Sequence, residues 1–265
     1  MLKIFQRLWQ VNWAEQWQYR ANLIMYLFYW LVSPIIYLAV WTSIANSKGN
    51  VSGLTANDFV TYYMTLLVVD QITSNIVIHT FAYKVQDGSL SGELVRPIHP
   101  MLTNALVNNI AFKALTIIGF IPIWIILFFL YRPDYSHVTF SGILLSIPAM
   151  VIGFFIDFLL SASITALAFW TTRVYSIHEF YYALLLLFSG QFVPLILMPK
   201  FIQVVAQYLP FQMRIYFPIE LILGNLSSAQ IIQGYVVGVV WLIASIVIFN
   251  LVWRNGIKRY SAVGA

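Results

Sequence analysis

The stretch Gln86–Pro100, QDGSLSGELVRPIHP, is the longest run in the chain that is both polar and rich in turn residues. Apolar segments of membrane-spanning length lie on both sides of it. Its glycines and prolines interrupt any long helix, because glycine loosens the backbone and proline lacks a donor N–H. Between them, the five residues LSGEL predict one or two helical turns. The stretch is interpreted either as an ordinary solvated loop or as a docking helix at the tip of a hairpin, whose presented side chains are Leu90, Glu93, Leu94 and Arg96.

The composition is that of a protein that crosses a membrane several times. The chain of 265 residues is 61% hydrophobic and 9% charged, whereas soluble domains carry about a quarter charged residues. Its mean hydropathy is +0.82. This length holds six spans of about 20 residues each with short connections, and no soluble domain of useful size remains within it. Any catalytic domain that the function needs is therefore expected in another chain.

Hydropathy predicts an all-α integral membrane fold that forms a single transmembrane domain over residues 1–265. Six transmembrane helices are expected, at 21–45, 58–83, 105–131, 140–170, 179–198 and 231–253. Residues 84–104 connect the second and third spans. Residues 199–230 are apolar in pieces, but three prolines divide them into lengths too short to cross a bilayer. Short re-entrant or outer helices are therefore expected between spans five and six.

Residues 1–20 predict an amphipathic helix that lies in the membrane interface, in contact with lipid. Basic and amide side chains occupy one face of this helix. The apolar side chains recur at spacings of three and four on the other face: Leu2, Phe5, Trp9 and Trp13. A basic, Trp-rich helix of this kind is typical of an interfacial anchor.

The distribution of basic residues predicts the orientation. With six spans and an inside amino terminus, ten of the fourteen Lys and Arg residues are assigned to the cytoplasmic side, Lys113 among them, and the four outside are Lys48, Arg132, Lys200 and Arg214. The positive-inside rule then favours both termini in the cytoplasm. The basic residues lie at segment ends and form no single basic face, so no nucleic-acid partner is expected.

Two predicted spans carry carboxylates at depth. Asp70 belongs to a polar cluster in the second span that also contains Gln71, Thr73, Ser74 and Asn75, and Asp157 begins a stripe in the fourth span with Ser161 and Thr165. Buried carboxylates are costly in a bilayer and face a protein interior or a water-filled path. They either line a translocation path or subunit seam, or they form hydrogen bonds between helices. The first interpretation is favoured for Asp70 and the second for Asp157.

The sequence lacks the familiar motifs of catalytic and metal sites. It has no cysteine, and no Walker A glycine–lysine loop for nucleotide phosphates. His178-Glu179 begins like a zinc-protease motif, but Tyr182 stands where the second histidine is needed. The four histidines are far apart in sequence. No catalytic residue, metal or cofactor is therefore expected in this chain.

The ordered set of features resembles the membrane subunit of an ATP-binding-cassette exporter of the type-2 permease class, in its branch of short six-span permeases. The resemblance covers nearly the whole chain. It rests on the basic amphipathic helix before the first span and on the proline-broken helices between spans five and six. It also rests on the loop pattern Gly88-x-Leu90 followed by Leu94-x-Arg96-Pro97, and on the tail KRYSAVGA at 258–265.

The resemblance implies a function driven by a separate ATPase. The loop after the second span would dock on a cytoplasmic ATP-binding-cassette subunit, which holds ATP and Mg²⁺, through Leu90, Glu93, Leu94, Arg96 and Pro97. The link 171–178 would be a second, smaller contact. A second permease, the same or a related chain, would complete the transporter in a bacterial plasma membrane. Residues 201–224 would form an outer gate with Arg214 and Glu220 as its polar members, unless these two only anchor the interface.

The expected cargo is a hydrophobic or amphipathic molecule, because the spans are aromatic-rich and weakly charged. Two other functions remain open. One is an ion-coupled secondary transporter that uses Asp70 and Asp157 as a relay, although such carriers usually contain repeats and helices broken at mid-membrane depth. The other is a membrane enzyme acting on lipid or peptide, which would need catalytic side chains clustered at one depth.

Overall fold

The computed structural model describes the backbone of residues 2–260 and their side chains except those of residues 2, 4 and 102–104. The last five residues of the tail motif, at 261–265, lie outside the described residues. The described chain folds into eleven α-helices and a few shorter helical turns. The α-helices are α1 Leu2–Gln18, α2 Arg20–Lys48, α3 Ala56–Thr73, α4 Val77–Gln86, α5 Ser91–Leu94, α6 Val107–Tyr131, α7 Phe140–Ala166, α8 Val174–Phe188, α9 Lys200–Ala206, α10 Tyr216–Leu223 and α11 Ser228–Ile257.

The predicted all-α integral membrane architecture is confirmed. Within residues 2–260, five helical segments are long and apolar enough to cross a bilayer: α2, α3 with α4, α6, α7 with the 3₁₀ turn that follows it, and α11. The fifth predicted span corresponds to α8, which has 15 residues and is therefore only about 22 Å long. After α8 the chain continues through an irregular segment to a 3₁₀ turn at Leu195–Leu197. Helix α8 begins five residues before the expected start of its span.

The second predicted span is the centre of the molecule, and it is broken in the middle. Of its apolar window, 72% is buried inside the protein, far more than in any other of the five long segments. Helix α3 ends at Thr73, and Ser74 has an extended backbone with ψ of 163°. Helix α4 then begins at Val77. The break places the polar side chains of the predicted cluster inside the helix bundle rather than along one continuous helix.

The hairpin loop and the carboxyl-terminal residues lie on one face of the molecule, which we call the loop face. Gln86 at the end of α4 donates to the Thr172 carbonyl in the link before α8, at 3.4 Å. Tyr260, just after α11, contacts Gly88 in the loop. The loop face therefore gathers the α4–α6 connection, the α7–α8 link and the end of α11.

The residues between α8 and α11 fold into the body of the protein instead of forming a separate cap. Helix α9, a 3₁₀ turn at Phe211–Met213 and α10 follow one another there. Backbone atoms of Met213 lie where a side chain on Gly153 of α7 would stand, and the Phe217 ring lies where a side chain on Gly234 of α11 would stand. This close approach to α7 and α11 requires glycine at both positions, and it carries Arg214 into the bundle.

Candidate functional site

A cluster of charged side chains lies buried between α3, α7 and the turn before α10. Arg214 Nη2 donates to Asp70 Oδ1 at 2.6 Å, and Arg214 Nε lies 3.6 Å from Asp157 Oδ2. All three residues are buried. Asp70 is in the last turn of α3, and Asp157 is in the second half of α7. The single guanidinium therefore joins the carboxylates of two helices that sequence reasoning treated separately.

Asp157 accepts two further hydrogen bonds, one from the break between α3 and α4 and one from α8. Asn75 Nδ2 donates to Asp157 Oδ2 at 2.6 Å and to Ser161 Oγ at 3.2 Å. Its Oδ1 accepts the backbone N–H of Val77 at 3.1 Å. The same side chain is therefore hydrogen-bonded both to the first residue of α4 and to α7. Tyr181 of α8 donates its hydroxyl to Asp157 Oδ1 at 2.7 Å. Asp157 thereby ties α4, α7 and α8 together.

We call Asp70, Asn75, Asp157, Tyr181 and Arg214 the charge cluster. A buried charge is costly unless it is paired and hydrogen-bonded, and removing one partner of such a pair is strongly destabilising. Each carboxylate here has a short hydrogen bond and faces the same cation. The cluster is therefore a set of interdependent contacts between α3, the α3–α4 break, α7, α8 and the turn before α10, so a shift of one of them must be accommodated by the others.

Lys113 is a buried charge inside the helix bundle, and not a residue of a cytoplasmic loop. It is 6% exposed and lies inside α6, where its ammonium donates to the Gln71 carbonyl at 2.8 Å and to the Ser74 hydroxyl. It also lies 4.6 Å from the centre of the Trp30 ring. Counting it as a cytoplasmic residue was wrong, and Arg214 was likewise counted as an outside residue although it is buried. The signal was available, because Lys113 falls within the predicted third span.

A cavity of about 140 Å³ adjoins the charge cluster. Its walls come from α2, from α3, α4 and the break between them, from α7 and α8, from the segment after α8, and from the turn before α10. Its lining includes Asp70, Asp157 and Arg214, together with Ser74, Asn75 and Ser161. The fold also brings His79 of α4 within 6.5 Å of His178 of α8, measured between ring centres, and both line the cavity. Most of the polar residues singled out in the sequence therefore meet at one place.

The remaining polar residues from the sequence analysis lie elsewhere. Thr165 is buried and donates to the Ser161 carbonyl at 2.7 Å within its own helix. Gln71 contributes its backbone carbonyl to Lys113, and its side-chain Oε1 is buried without a hydrogen-bond partner among the described residues. Glu220 is buried in α10 and accepts from Asn225 Nδ2 at 2.9 Å. Arg214 and Glu220, paired in the expected outer gate, therefore have separate partners.

The hairpin loop contains the short helix that its sequence predicted, but its side chains are divided between two environments. Helix α5 spans Ser91–Leu94. Leu90 is fully buried and packs in a cluster with residues of α4, α7 and α11, so the expectation that it is presented to a partner is wrong. Glu93 Oε1 is paired with Lys84 Nζ at 2.8 Å. Both residues fix the loop to the end of α4.

The exposed part of the loop follows α5. Val95 is 85% exposed, and Arg96 and Pro97 beside it are also exposed. Sequence reasoning missed Val95, although a β-branched apolar residue beside the Arg-Pro pair was visible in the chain. At the loop's other side, the backbone N–H and hydroxyl of Ser89 donate to Asp87. These bonds hold the pKa of the Asp87 carboxyl below its ordinary value.

Tyr260 braces the loop from the end of α11. Its hydroxyl donates to the Gly88 carbonyl at 2.7 Å and accepts the Ser91 backbone N–H at 3.1 Å. Gly88 has a positive φ of 83°, a conformation that glycine adopts without strain. The loop is therefore held against α4 and α11 by these contacts, rather than being a free segment.

Comparison with known proteins places the chain in a family. A family model described as ABC-2 family transporter protein matches residues 23–264, which is most of the chain. No curated protein matches the chain. The matched residues include the charge cluster, the hairpin loop and the segment between α8 and α11. The chain belongs to the ABC-2 family of transporter proteins, and it is an integral membrane protein of the permease type.

Proposed function

We propose that the chain is the permease subunit of an exporter driven by a separate ATP-binding-cassette ATPase. The observation that carries this proposal is the geometry of the hairpin loop. Leu90, Glu93 and Tyr260 fix the loop to α4 and α11, whereas Val95, Arg96 and Pro97 point away from the protein. A force applied to the exposed residues would therefore reach the transmembrane helices.

The path from the loop to the cavity runs through α4. The loop begins directly after α4. At the other end of α4, the Asn75 side chain accepts the first backbone N–H of the helix, that of Val77, and donates to Asp157. Arg214 connects Asp157 to Asp70 on α3. Movement of the loop would consequently change the charge cluster and the cavity beside it. Only a ligand with different affinities for two states shifts such an equilibrium, and ATP bound with Mg²⁺ in the partner is that ligand here.

The loop face is assigned to the cytoplasm, with both termini on that side. When the buried Lys113 and Arg214 are set aside, nine of the other twelve Lys and Arg residues lie on the assigned cytoplasmic side, which the positive-inside rule favours. A bacterial plasma membrane fits this use of a cytoplasmic ATPase. Helix α1 would lie in the lipid interface on the same side.

A second permease, of the same or a related chain, would complete the transporter. Exposed apolar side chains cover α2 and α8 on both sides of the cavity, among them Tyr29, Phe180 and Tyr182. A carrier that spans a bilayer uses such a surface against lipid or against another subunit. The cargo would be a hydrophobic or amphipathic molecule, since the helices around the cavity are aromatic-rich.

An ion-coupled secondary transporter is less well supported. An ion relay needs carboxylates that are free to bind and release the ion, whereas Asp70 and Asp157 share the guanidinium of Arg214 and accept short hydrogen bonds. The chain also has no nucleotide motif of its own, which supports a non-catalytic subunit. Arg214 and Glu220 would contribute to gating if the segment between α8 and α11, which contains both residues, moves together with the charge cluster.

The test is capture of the candidate ATPase by the co-expressed permease, followed by ATP hydrolysis in liposomes. The variant Val95→Ala with Arg96→Ala removes the exposed docking surface and leaves Leu90 and Glu93 in place. We expect at least a roughly tenfold loss of captured ATPase, which is the size of effect of central interface residues. The matched control is Lys48→Ala, which removes one exposed charge at the far end of α2. Equal capture by the variant and the wild type would exclude the loop as the coupling element.

A further inference from the structure

The cavity beside the charge cluster carries hydrogen-bonding capacity that the protein itself does not use. Gln191 lines this cavity and is 4% exposed. Its Oε1 is buried and accepts no hydrogen bond from the described residues. A buried polar atom without a partner is costly, and a donor from a ligand in the cavity would satisfy it. The side chain therefore points to a ligand with a positively polarised or hydrogen-bond-donating group.

The charge of the lining favours a cation. Three carboxylates and one guanidinium line the cavity: those of Asp70, Asp157, Glu179 and Arg214. The two aspartates are paired with Arg214. Glu179 is exposed on α8 and its carboxylate forms no salt bridge or hydrogen bond with the described residues, and the imidazoles of His79 and His178 are its titratable neighbours. Adding the neighbouring ammonium of Lys113 still leaves the negative charges in excess. The carboxylate of Glu179 is thus available to a positively charged group.

The aromatic walls indicate that this group is organic. Tyr181 and Tyr182 line the cavity together with the exposed Tyr29, whereas the Trp30 ring in the same lining already faces the ammonium of Lys113. Aromatic faces attract ammonium groups through the ring quadrupole, which is the basis of the aromatic cages that bind quaternary ammonium ligands. Hard metal cations prefer a shell of oxygen ligands instead. The volume of about 140 Å³ is close to that of an engineered cavity of roughly 150 Å³ that binds benzene, so a headgroup fits and a whole large molecule does not.

The side of the cavity formed by α2 would accept the rest of such a molecule. Tyr29 is 72% exposed, and the apolar side chains of Met25 and Phe28 beside it are exposed as well. In a membrane these side chains meet lipid tails or a second subunit. A chain attached to a headgroup in the cavity would therefore leave along an apolar surface.

From these observations we infer that the cavity between α2, α8 and the charge cluster binds the ammonium headgroup of an amphipathic organic cation, with Glu179 as its counter-ion and Gln191 Oε1 as its hydrogen-bond acceptor. This inference rests on the proposed export function, because it names the class of cargo. The same chemistry is present in a lipid with an ethanolamine headgroup, so the test distinguishes a soluble amphiphile from a resident lipid.

The experiment measures equilibrium binding of radiolabelled decylammonium, whose N–H groups can donate to Gln191 Oε1, to the purified chain in nanodiscs of phosphatidylglycerol. Partition of each amphiphile into the lipid is measured with empty nanodiscs and subtracted, because an anionic lipid attracts a cation and repels an anion. Decyl sulfate, which has the same alkyl chain and the opposite charge, is the matched ligand. We expect saturable binding of the cation only, and an affinity about tenfold weaker in Glu179→Gln, because one charge is removed at short range. The control variant is Glu15→Gln, which removes an exposed carboxylate of α1 and should bind like the wild type.

Two further variants keep the test independent of any single side chain. Gln191→Glu adds a negative charge to the cavity and should tighten binding of the cation, whereas Tyr182→Leu removes an aromatic wall and should weaken it severalfold. Equal binding of the two amphiphiles, or an unchanged affinity in Glu179→Gln, would overturn the inference. Competition by phosphatidylethanolamine in the nanodisc would support the ammonium site and assign it to a lipid headgroup. Because binding requires no ATPase, failure of the coupling experiment leaves this result unaffected, and the reverse also holds.

Discussion

Arg214 and Asp70 are 144 positions apart in the chain, but Arg214 Nη2 lies 2.6 Å from Asp70 Oδ1 in the structure, and both side chains are buried. The same guanidinium faces Asp157 at 3.6 Å. The pair joins the turn before α10 to the end of α3, and α3 with α4 is the most buried of the long helical segments. Any movement of this turn relative to α3 must therefore change the contact, so the stability of the bundle depends on it.

Removal of the guanidinium should be strongly destabilising. Arg214→Leu leaves two buried carboxylates without their cation, and breaking a buried pair in this way costs about 3–5 kcal/mol. Arg214→Lys keeps the charge but loses the planar fork that reaches both carboxylates, so its loss should be intermediate. The measurement is the free energy of unfolding in mixed micelles.

The control for Arg214 is Arg254→Ala, which removes an exposed arginine from α11. Exposed substitutions usually change stability by less than about 0.5 kcal/mol. A loss in Arg214→Leu no larger than that of the control would show that the buried pair does not stabilise the fold.

Much of this site could be predicted from the sequence, but its pairing could not. The depth of Asp70 and Asp157 in apolar segments indicated that both face a protein interior or a polar path. The cation that pairs with both carboxylates is Arg214. The prolines around Arg214 had predicted short helices at the outer surface of the membrane, away from the two aspartates. Which distant arginine reaches a buried carboxylate depends on how a broken segment folds back, and local sequence does not encode that. Lys113 is a different case, since a lysine within an apolar span was itself the signal.

The loop gives the same lesson at a smaller scale. Its glycines and prolines predicted a short interruption with one helical turn, and α5 is that turn. The spacing of Leu90 and Leu94 suggested one exposed apolar face. Leu90 is buried because the loop folds back over α4 and meets residues of α7 and α11, elements that are distant in sequence. The exposed surface of the loop therefore lies a few residues after the predicted one, at Val95 and Arg96.

The two sides of the loop should separate in stability measurements. Leu90→Ala removes a fully buried side chain and should lower the free energy of unfolding by about 2–5 kcal/mol. Val95→Ala changes a side chain that is almost fully exposed and should leave it within about 0.5 kcal/mol. Thermal unfolding of the two purified variants measures their stability, and capture of the ATPase measures docking. The two measurements together distinguish a buried residue of the loop from a docking residue. A loss of capture in Val95→Ala at wild-type stability would place Val95 in the docking surface, whereas equal destabilisation by both variants would contradict the burial pattern.

Asn75 should control the break in the central span. Asn75→Ala removes the donor to Asp157 and the acceptor for the Val77 N–H, and a buried group left without its partner costs about 1–3 kcal/mol. Asn75→Asp is nearly the same size but places a second carboxylate against Asp157, so it should be the more destabilising of the two. Unfolding in mixed micelles should therefore rank wild type above Asn75→Ala and Asn75→Ala above Asn75→Asp.

The matched control for Asn75 is Asn57→Ala, which removes an exposed amide from the start of α3. If Asn75→Asp were as stable as wild type, a second carboxylate beside Asp157 would add no free-energy cost to the charge cluster. The short contact between Asn75 and Asp157 would then not be a stabilising one.

Tyr260→Phe should loosen the hairpin loop without disturbing the bundle. The substitution keeps the ring, which packs against Phe169 with centres 5.7 Å apart, and removes only the hydroxyl that joins Gly88 and Ser91. Each such bond contributes about 0.5–1.5 kcal/mol. The amides of α5 should therefore exchange with deuterated solvent severalfold to about tenfold faster, as measured by mass spectrometry, while those of α3 keep their protection. Tyr83→Phe, at an exposed tyrosine of α4, is the control and should leave exchange unchanged. Unaltered exchange of α5 in Tyr260→Phe would mean that Lys84 and Leu90 hold the loop on their own.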